Sequence, residues 1–292
     1  MKIVIAAAAG NIGRRTAAQI VQTGVETILL SRQPAKLADL VERGATVEPI
    51  GSDDATSLIE ATRHADALFW LTPPKLDTPS LSEWYHQTAM AAALAVRENG
   101  IKRVVHISSL GAGTSPNLGT VSLVGNVESI FNATGANVVH LRPGYFMENF
   151  LQQVQSIRSG IVSFPYPNDH DFPWISTDDI GDEAAKYLHD DRWAGQWTRN
   201  LMGIENLTLL ETTVILSRVL DRPIEYVRVT VEAMQKHLAA IGATPDVQRE
   251  LGDLFRALGD PNGIYATVRT PDAVTPTTFE QFVKQKLLSA IG

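Results

Sequence analysis

The chain contains no cysteine among its 292 residues. That absence excludes disulfides, thiolate zinc sites, redox-active thiols and a cysteine nucleophile together. No apolar run approaches the roughly 20 residues that a membrane span needs. Nor does a basic segment lead into a longer apolar stretch, as it would in a signal peptide, so the sequence reads as cytoplasmic. Long basic runs are missing as well. With a net charge of -7 and only short clusters such as Arg14-Arg15 and Lys102-Arg103, the chain offers no footprint for nucleic acid or an anionic membrane. It has no H-E-x-x-H, no other metal-ligand spacing and no G-x-S-x-G elbow, which leaves no metal site and no serine-hydrolase chemistry to read. A small neutral or organic substrate fits this balance better.

What is present is an alternation. Short apolar, β-branched runs recur at 2–6 (KIVIA), 27–31 (TILLS), 46–50 (TVEPI), 67–72 (ALFWLT), 103–108 (RVVHIS) and 137–142 (NVVHLR). Between them lie stretches with apolar residues at helical spacing, at 16–23, 34–44, 55–63 and 81–100, with Asp54 placed to cap the third. Strands that are apolar throughout and separated by helices predict an α/β fold, a doubly wound parallel sheet of Rossmann type. After Pro143 the regularity falls away. Helices are predicted at 177–190, 209–220, twice within 231–258, and at 277–290, with no repeat and no long linker. The expected division is a nucleotide-binding domain over residues 1–150, joined by some later segments, and a smaller α/β substrate lobe over 151–292, with the ligand cleft between them.

The first strand runs into Ala7-Ala8-Ala9-Gly10-Asn11-Ile12-Gly13. A glycine turn opening a helix can hold a pyrophosphate on backbone N–H groups and the positive helix end. The first position of such a turn is ordinarily glycine, and here it is Ala7. An alanine methyl is tolerated if the backbone there has negative φ and the ligand does not press on it, so a cost rather than a loss is expected. About 20 residues on, the second strand ends in Ser31-Arg32, with Lys36 nearby. A site for NAD would usually place an acid there, whereas a hydroxyl and a guanidinium suit a 2′-phosphate. The predicted cofactor is NADP(H).

In these motifs the sequence resembles the NmrA-like group of atypical short-chain dehydrogenases/reductases, relatives of quinone reductase-like and azo- or triphenylmethane-dye reductase-like proteins. The resemblance rests on AAAAGNIGRR (6–15), SRQPAKL (31–37), FWLTPP (69–74), VVHISSLGA (104–112), LRPGYFMENF (141–150) and FPWISTDDIG (172–181), in order and almost end to end. It implies that Gly10, Asn11, Ile12 and Gly13 line the pyrophosphate and Arg32 the 2′-phosphate. Leu71, Thr72 and Pro73 would then lie by the adenosine and nicotinamide ribose, and Pro143, Tyr145 and Phe146 by the nicotinamide. Ser52, beside Gly51, stands where relatives often carry an acid near adenine. Pro74, Phe150 and Trp174 are candidate substrate contacts.

The ordinary members of that superfamily protonate a carbonyl with a tyrosine assisted by a lysine four residues on. No Tyr-x-x-x-Lys occurs in this chain, and 122–131 (SLVGNVESIF) has neither residue. The expected chemistry is hydride transfer to an acceptor needing little proton help: a quinone, an azo bond or dye, an iminium or an enone. Ser108 and Ser109 are open to bonding a substrate oxygen, the cofactor ribose or a strand-end turn; Tyr145 is a weak acid, a stacking wall or a core aromatic. His106 and His140 fall within apolar strand patterns and read as core. The alternative function is an NADP(H)-sensing regulator working through a protein partner, and a homodimer stays open.

Overall fold

A computed structural model of the chain describes residues 1–292. Seven parallel strands form the central sheet: β1 (Lys2–Ile5), β2 (Glu26–Leu30), β3 (Thr46–Glu48), β4 (Ala67–Trp70), β5 (Arg103–Ile107), β6 (Asn137–Pro143) and, counted after four short strands of the second half, β11 (Gln196–Leu201). Their order is β11-β6-β5-β4-β1-β2-β3. This is the doubly wound sheet, with chain direction across the sheet reversing where β1 separates β2 from β4. The apolar runs explain themselves here. Phe69 and Trp70, adjacent on β4, point to opposite faces and both are fully buried, so a strand in this sheet has no solvent side to mark with polar residues.

Helices cover both faces: α1 (Asn11–Val21), α2 (Ala38–Glu42), α3 (Ala55–Ala61), α4 (Leu81–Glu98) and α5 (Thr120–Asn132). Asp54 caps α3 as expected, accepting from Ser57 N at 3.0 Å. After α6 (Val154–Arg158), α7 (Thr177–His189) packs beside α1, where Arg15 and Gln19 both bond Asp182. The first helix starts at Asn11, opened by the glycine turn as expected, because a glycine in an opening turn breaks no helical bond. One departure follows β2. The stretch 34–44 divides into a 3₁₀ turn (Pro34–Leu37) and the short α2, with no side-chain cap on either.

The second half builds three two-stranded ribbons, β7 (Tyr145–Phe146) with β10 (Trp174–Ile175), β8 (Ile161–Phe164) with β13 (Glu225–Arg228), and β9 (Asp171–Phe172) with β12 (Leu207–Thr208). Helices α8 (Leu209–Val219), α9 (Val231–Ala240), α10 (Pro245–Leu258), α11 (Phe279–Phe282) and α12 (Leu288–Ile291) complete it, the last two joined by a π-helical segment at 283–287 that interrupts the expected single closing helix. Two of the three hydrophobic cores lie on the faces of the sheet. The third is an aromatic core around Tyr145, Phe150, Phe164, Tyr166, Phe172, Trp174, Phe279 and Phe282. No helix is long and apolar enough to cross a membrane.

Candidate functional site

A groove of about 340 Å³ opens at the carboxyl ends of β1, β2 and β4, where the strand order reverses. Ala7 and Gly10 from the first turn, Ser31, Arg32 and Lys36 after β2, Gly51 and Ser52 after β3, and Leu71, Pro73 and Pro74 after β4 all line it. Sequence reasoning did not single out its other lining residues, Ala9, Leu30, Gln33 and Ile50. They carry no chemical signature and are placed by the strand ends alone.

The turn explains its own residues. Ala7 O accepts from Gly10 N at 3.0 Å, closing a tight turn between β1 and α1. A Cβ on Gly13 would overlap the Ala7 carbonyl, so only glycine lets the helix approach the strand this closely. At Gly10 the backbone is extended, with φ -83°, and its missing side chain serves access to the groove rather than the backbone. Ala7 itself has φ 50°. The condition of negative φ is therefore not met: the alanine occupies the left-handed region that glycine enters freely, at about 1–2 kcal/mol of strain. The turn forms nonetheless. The N–H groups of Asn11, Ile12 and Gly13 have neither a side-chain cap nor a backbone acceptor, which leaves three donors at the positive end of α1.

The residues lining the groove carry positive charge only, with the Asp53 carboxylate standing beside Gly51 at its edge. Its lining holds Arg32 and Lys36 and no acid, in a chain of net charge -7. Both cations are exposed, and neither side chain is held by a carboxylate or a carbonyl. Arg14 is different. Its guanidinium bonds both oxygens of Asp39, at 2.9 and 2.8 Å, and so adds no free charge to the groove. Ser31 is engaged locally, its Oγ accepting from Gln33 N at 3.0 Å.

Other expected residues lie elsewhere. Asn11 fronts a separate depression with Arg15, Glu148, Asp178 and Lys286, and the Ile12 side chain enters the core. Thr72 is buried, accepting from Trp70 Nε1 at 3.1 Å. Pro143, Tyr145 and Phe146 stand at the carboxyl end of β6 and Ser108 and Ser109 at that of β5, further along the same edge. Ser108 is buried and donates to Glu128 Oε1 at 2.5 Å, while Arg142 closes a bidentate pair on the same carboxylate at 2.9 and 2.6 Å. Its proton is therefore directed at Glu128, and Ser109 donates to the carbonyl of Leu110 at 3.2 Å. Glu128 stands on α5, the helix where a Tyr-x-x-x-Lys would be sought. A single acid on an otherwise apolar helix face was the signal that could have revealed this network.

Tyr145 is nearly buried at the hub of the aromatic core, edge-on to Trp174 at 5.0 Å between centroids and tilted against Phe172 at 4.9 Å. Burial pushes its hydroxyl well above the usual phenol range, so it stays protonated and can donate but not act as a base. Phe150 and Trp174 do not line an open site: both are fully buried, with Trp174 Nε1 bonded to Leu207 O at 2.9 Å. Their aromatic surface is core because the three ribbons enclose it. Beyond Ser109 the edge is filled by the chain itself. Ile264 packs on Gly111, and Tyr265 stands edge-on to Tyr145 at 6.1 Å. His106 and His140 pair across β5 and β6, Nδ1 to Nδ1 at 3.0 Å, with His140 Nε2 on Asn132 Oδ1 at 3.0 Å.

The loop after β4 links the groove to α10. Thr244 N donates to Leu76 O at 2.9 Å, Thr244 Oγ1 to Thr78 O at 2.7 Å, and Leu81 N to Asp246 Oδ2 at 2.8 Å.

Comparison with known proteins places this geometry in context. A family model described as the NmrA-like family matches residues 1–283. The NAD(P)H azoreductase of Xenophilus azovorans is 24% identical over 287 residues, covering 97% of this chain and 96% of its own. Among solved structures, the Citrobacter sp. triphenylmethane reductase complexed with NADP(H) superposes with a TM-score of 0.79 at 18% identity, covering 98% of this chain and 99% of the other. The quinone oxidoreductase QOR2 of Escherichia coli, complexed with NADPH, gives 0.74 at 20% identity, covering 99% and 94%.

Proposed function

Because the chain belongs to the NmrA-like family, we propose that it is an NADPH-dependent reductase that passes hydride to an activated organic acceptor such as a quinone, an azo compound or dye, an iminium or an enone. One observation carries this reading: the groove at the strand-order reversal is lined by two cations that no side chain holds, and next to its Gly10 the first turn of α1 starts with three N–H groups that have no acceptor. That set fits a phosphorylated dinucleotide. The N–H groups of Asn11, Ile12 and Gly13 would hold the pyrophosphate, Arg32 and Lys36 the 2′-phosphate, and Leu71 and Pro73 the ribose side. Bound there, NADPH supplies the hydride. The relatives' names, which include azo, triphenylmethane and quinone reductases, support the acceptor class.

The chain's own residues position the acceptor rather than relay protons. Ser108 is tied to Glu128, and the neutral Tyr145 hydroxyl is a donor at most. An acceptor whose reduced form takes its proton from water suits this site, and orientation supplies most of the rate. The test is NADPH oxidation at 340 nm against a panel of quinones, azo compounds and cationic dyes. Acceptor-dependent oxidation is expected; its absence across the panel would count against turnover. One observation favours the alternative of an NADP(H) sensor acting through a partner: Ile264 and Tyr265 fill the far end of the sheet edge, where an acceptor would enter. Tight NADPH binding without turnover is the result that would select it.

A further inference from the structure

Tyr166 is fully buried, yet its hydroxyl has no hydrogen-bond partner. An orphaned buried hydroxyl costs stability, and this one is held in place from several sides. Its ring packs on Gly259 at the end of α10, with Phe172 at 5.0 Å between centroids, and His170 stacks at 6.0 Å while bonding Leu258 O. Tyr226 donates to the Tyr166 carbonyl at 2.6 Å, so the backbone is fixed as well. The hydroxyl lies against that of Tyr145, close enough to interact but outside regular hydrogen-bond geometry, and near that of Tyr265. Tyr145 belongs to β7, directly beyond the end of β6, and Tyr265 is only half-buried, in the 3₁₀ turn Ile264–Ala266 after α10.

From this arrangement we propose that Tyr166 is a specificity-determining residue that donates a hydrogen bond to a ring-bound carbonyl oxygen of the acceptor, selecting quinone- or enone-type rings over cationic dyes that lack such an oxygen. The inference rests on the reductase reading above and narrows its acceptor class. Tyr145 and Phe172 flank that hydroxyl with aromatic edges and faces, and Tyr166 supplies a fully buried donor with no acceptor in good geometry. An acceptor displacing Tyr265 from its position against Tyr145 would bring its oxygen to that donor. A site built to bond an oxygen discriminates against analogues without one, because the donor is then left unpaired.

The test compares wild type with Tyr166→Phe, which removes the hydroxyl and little else. Binding of menadione and of malachite green to the NADP⁺-loaded protein is followed by quenching of protein fluorescence, and NADPH oxidation with each is measured alongside. The expected result is that the preference for menadione over malachite green falls about five- to a hundred-fold, with a melting temperature equal to or above that of wild type. An unchanged preference, or a melting temperature several degrees lower, would overturn the proposal. If menadione binds in a Tyr166-dependent way while NADPH is consumed with neither acceptor, the proposal stands and the reductase reading fails.

Discussion

Ala7 and Arg32 decide what the groove can hold, and one of them was only half legible. Arg32 announced itself by its place after β2, and the structure sets it on the groove lip without a partner. For Ala7 the sequence revealed the substitution but not the dihedral, which is set by how closely α1 packs on β1 through Gly13. Ala7→Gly should relieve left-handed strain, offset in part by glycine's extra freedom in the unfolded chain. A net gain of about 0.5–1 kcal/mol is expected, seen as a melting temperature roughly 1–3 °C higher, with NADPH affinity kept. Arg32→Ala should weaken NADPH by about 1.5–3 kcal/mol, the worth of a hydrogen bond to a charged group, and NADH far less. Equal weakening of both, measured by titration, would assign Arg32 a structural role.

At the level of elements, the strands of the sheet were legible because burial on both faces makes them apolar throughout. The network under the site was not, since it joins residues far apart in sequence. Ser108, Glu128 and Arg142 meet only because β5, α5 and β6 are neighbours in space. The same holds for α10, whose amphipathic pattern gave its existence but not its attachment. Thr244 and Asp246 fasten its first turn to the loop that carries Leu71, Pro73 and Pro74 into the groove. NADPH should therefore slow amide exchange at Lys75–Leu81 and Asp246–Gln248 as well as at the glycine turn, and Asp246→Ala should remove the protection at α10. Protection confined to the turn and to 31–36 would show that no such link operates.

The paired histidines of β5 and β6 belong to this scale too. Burial, opposed by Glu128 and assisted by Arg142, lowers His140 from 6.5 to about 4, and burial with the neighbouring His140 and Arg142 lowers His106 well below its ordinary value. Both are neutral in the fold near pH 7: in the unfolded chain these rings take up protons near pH 6.5, whereas in the fold His140 does so only near 4. Stability is then fully present above about pH 6.5 and falls with acidification, by about 3 kcal/mol from His140 alone. Urea midpoints between pH 7 and pH 4.5 should show the fall, and His140→Gln should show less of it. A flat profile would mean that these rings titrate normally.

For the whole molecule, the sequence supplied the class of fold and the alternation of strands and helices in the first half. The strand order came from the structure, and the groove lies at the ends of β1, β2 and β4 rather than between two lobes. Nor did the sequence supply the filling of the far sheet edge, because the residues that fill it, Ile264 and Tyr265, come from a turn with no pattern of its own. A negative molecule with a cationic groove should take up an anionic dinucleotide at that groove. The most direct test is a fluorescence titration of the purified protein with NADPH and with NADH at fixed salt. The account predicts saturable binding of NADPH at least tenfold tighter than of NADH, in line with about 1.5 kcal/mol or more from the 2′-phosphate. Equal affinity for the two, or binding of neither, would contradict it.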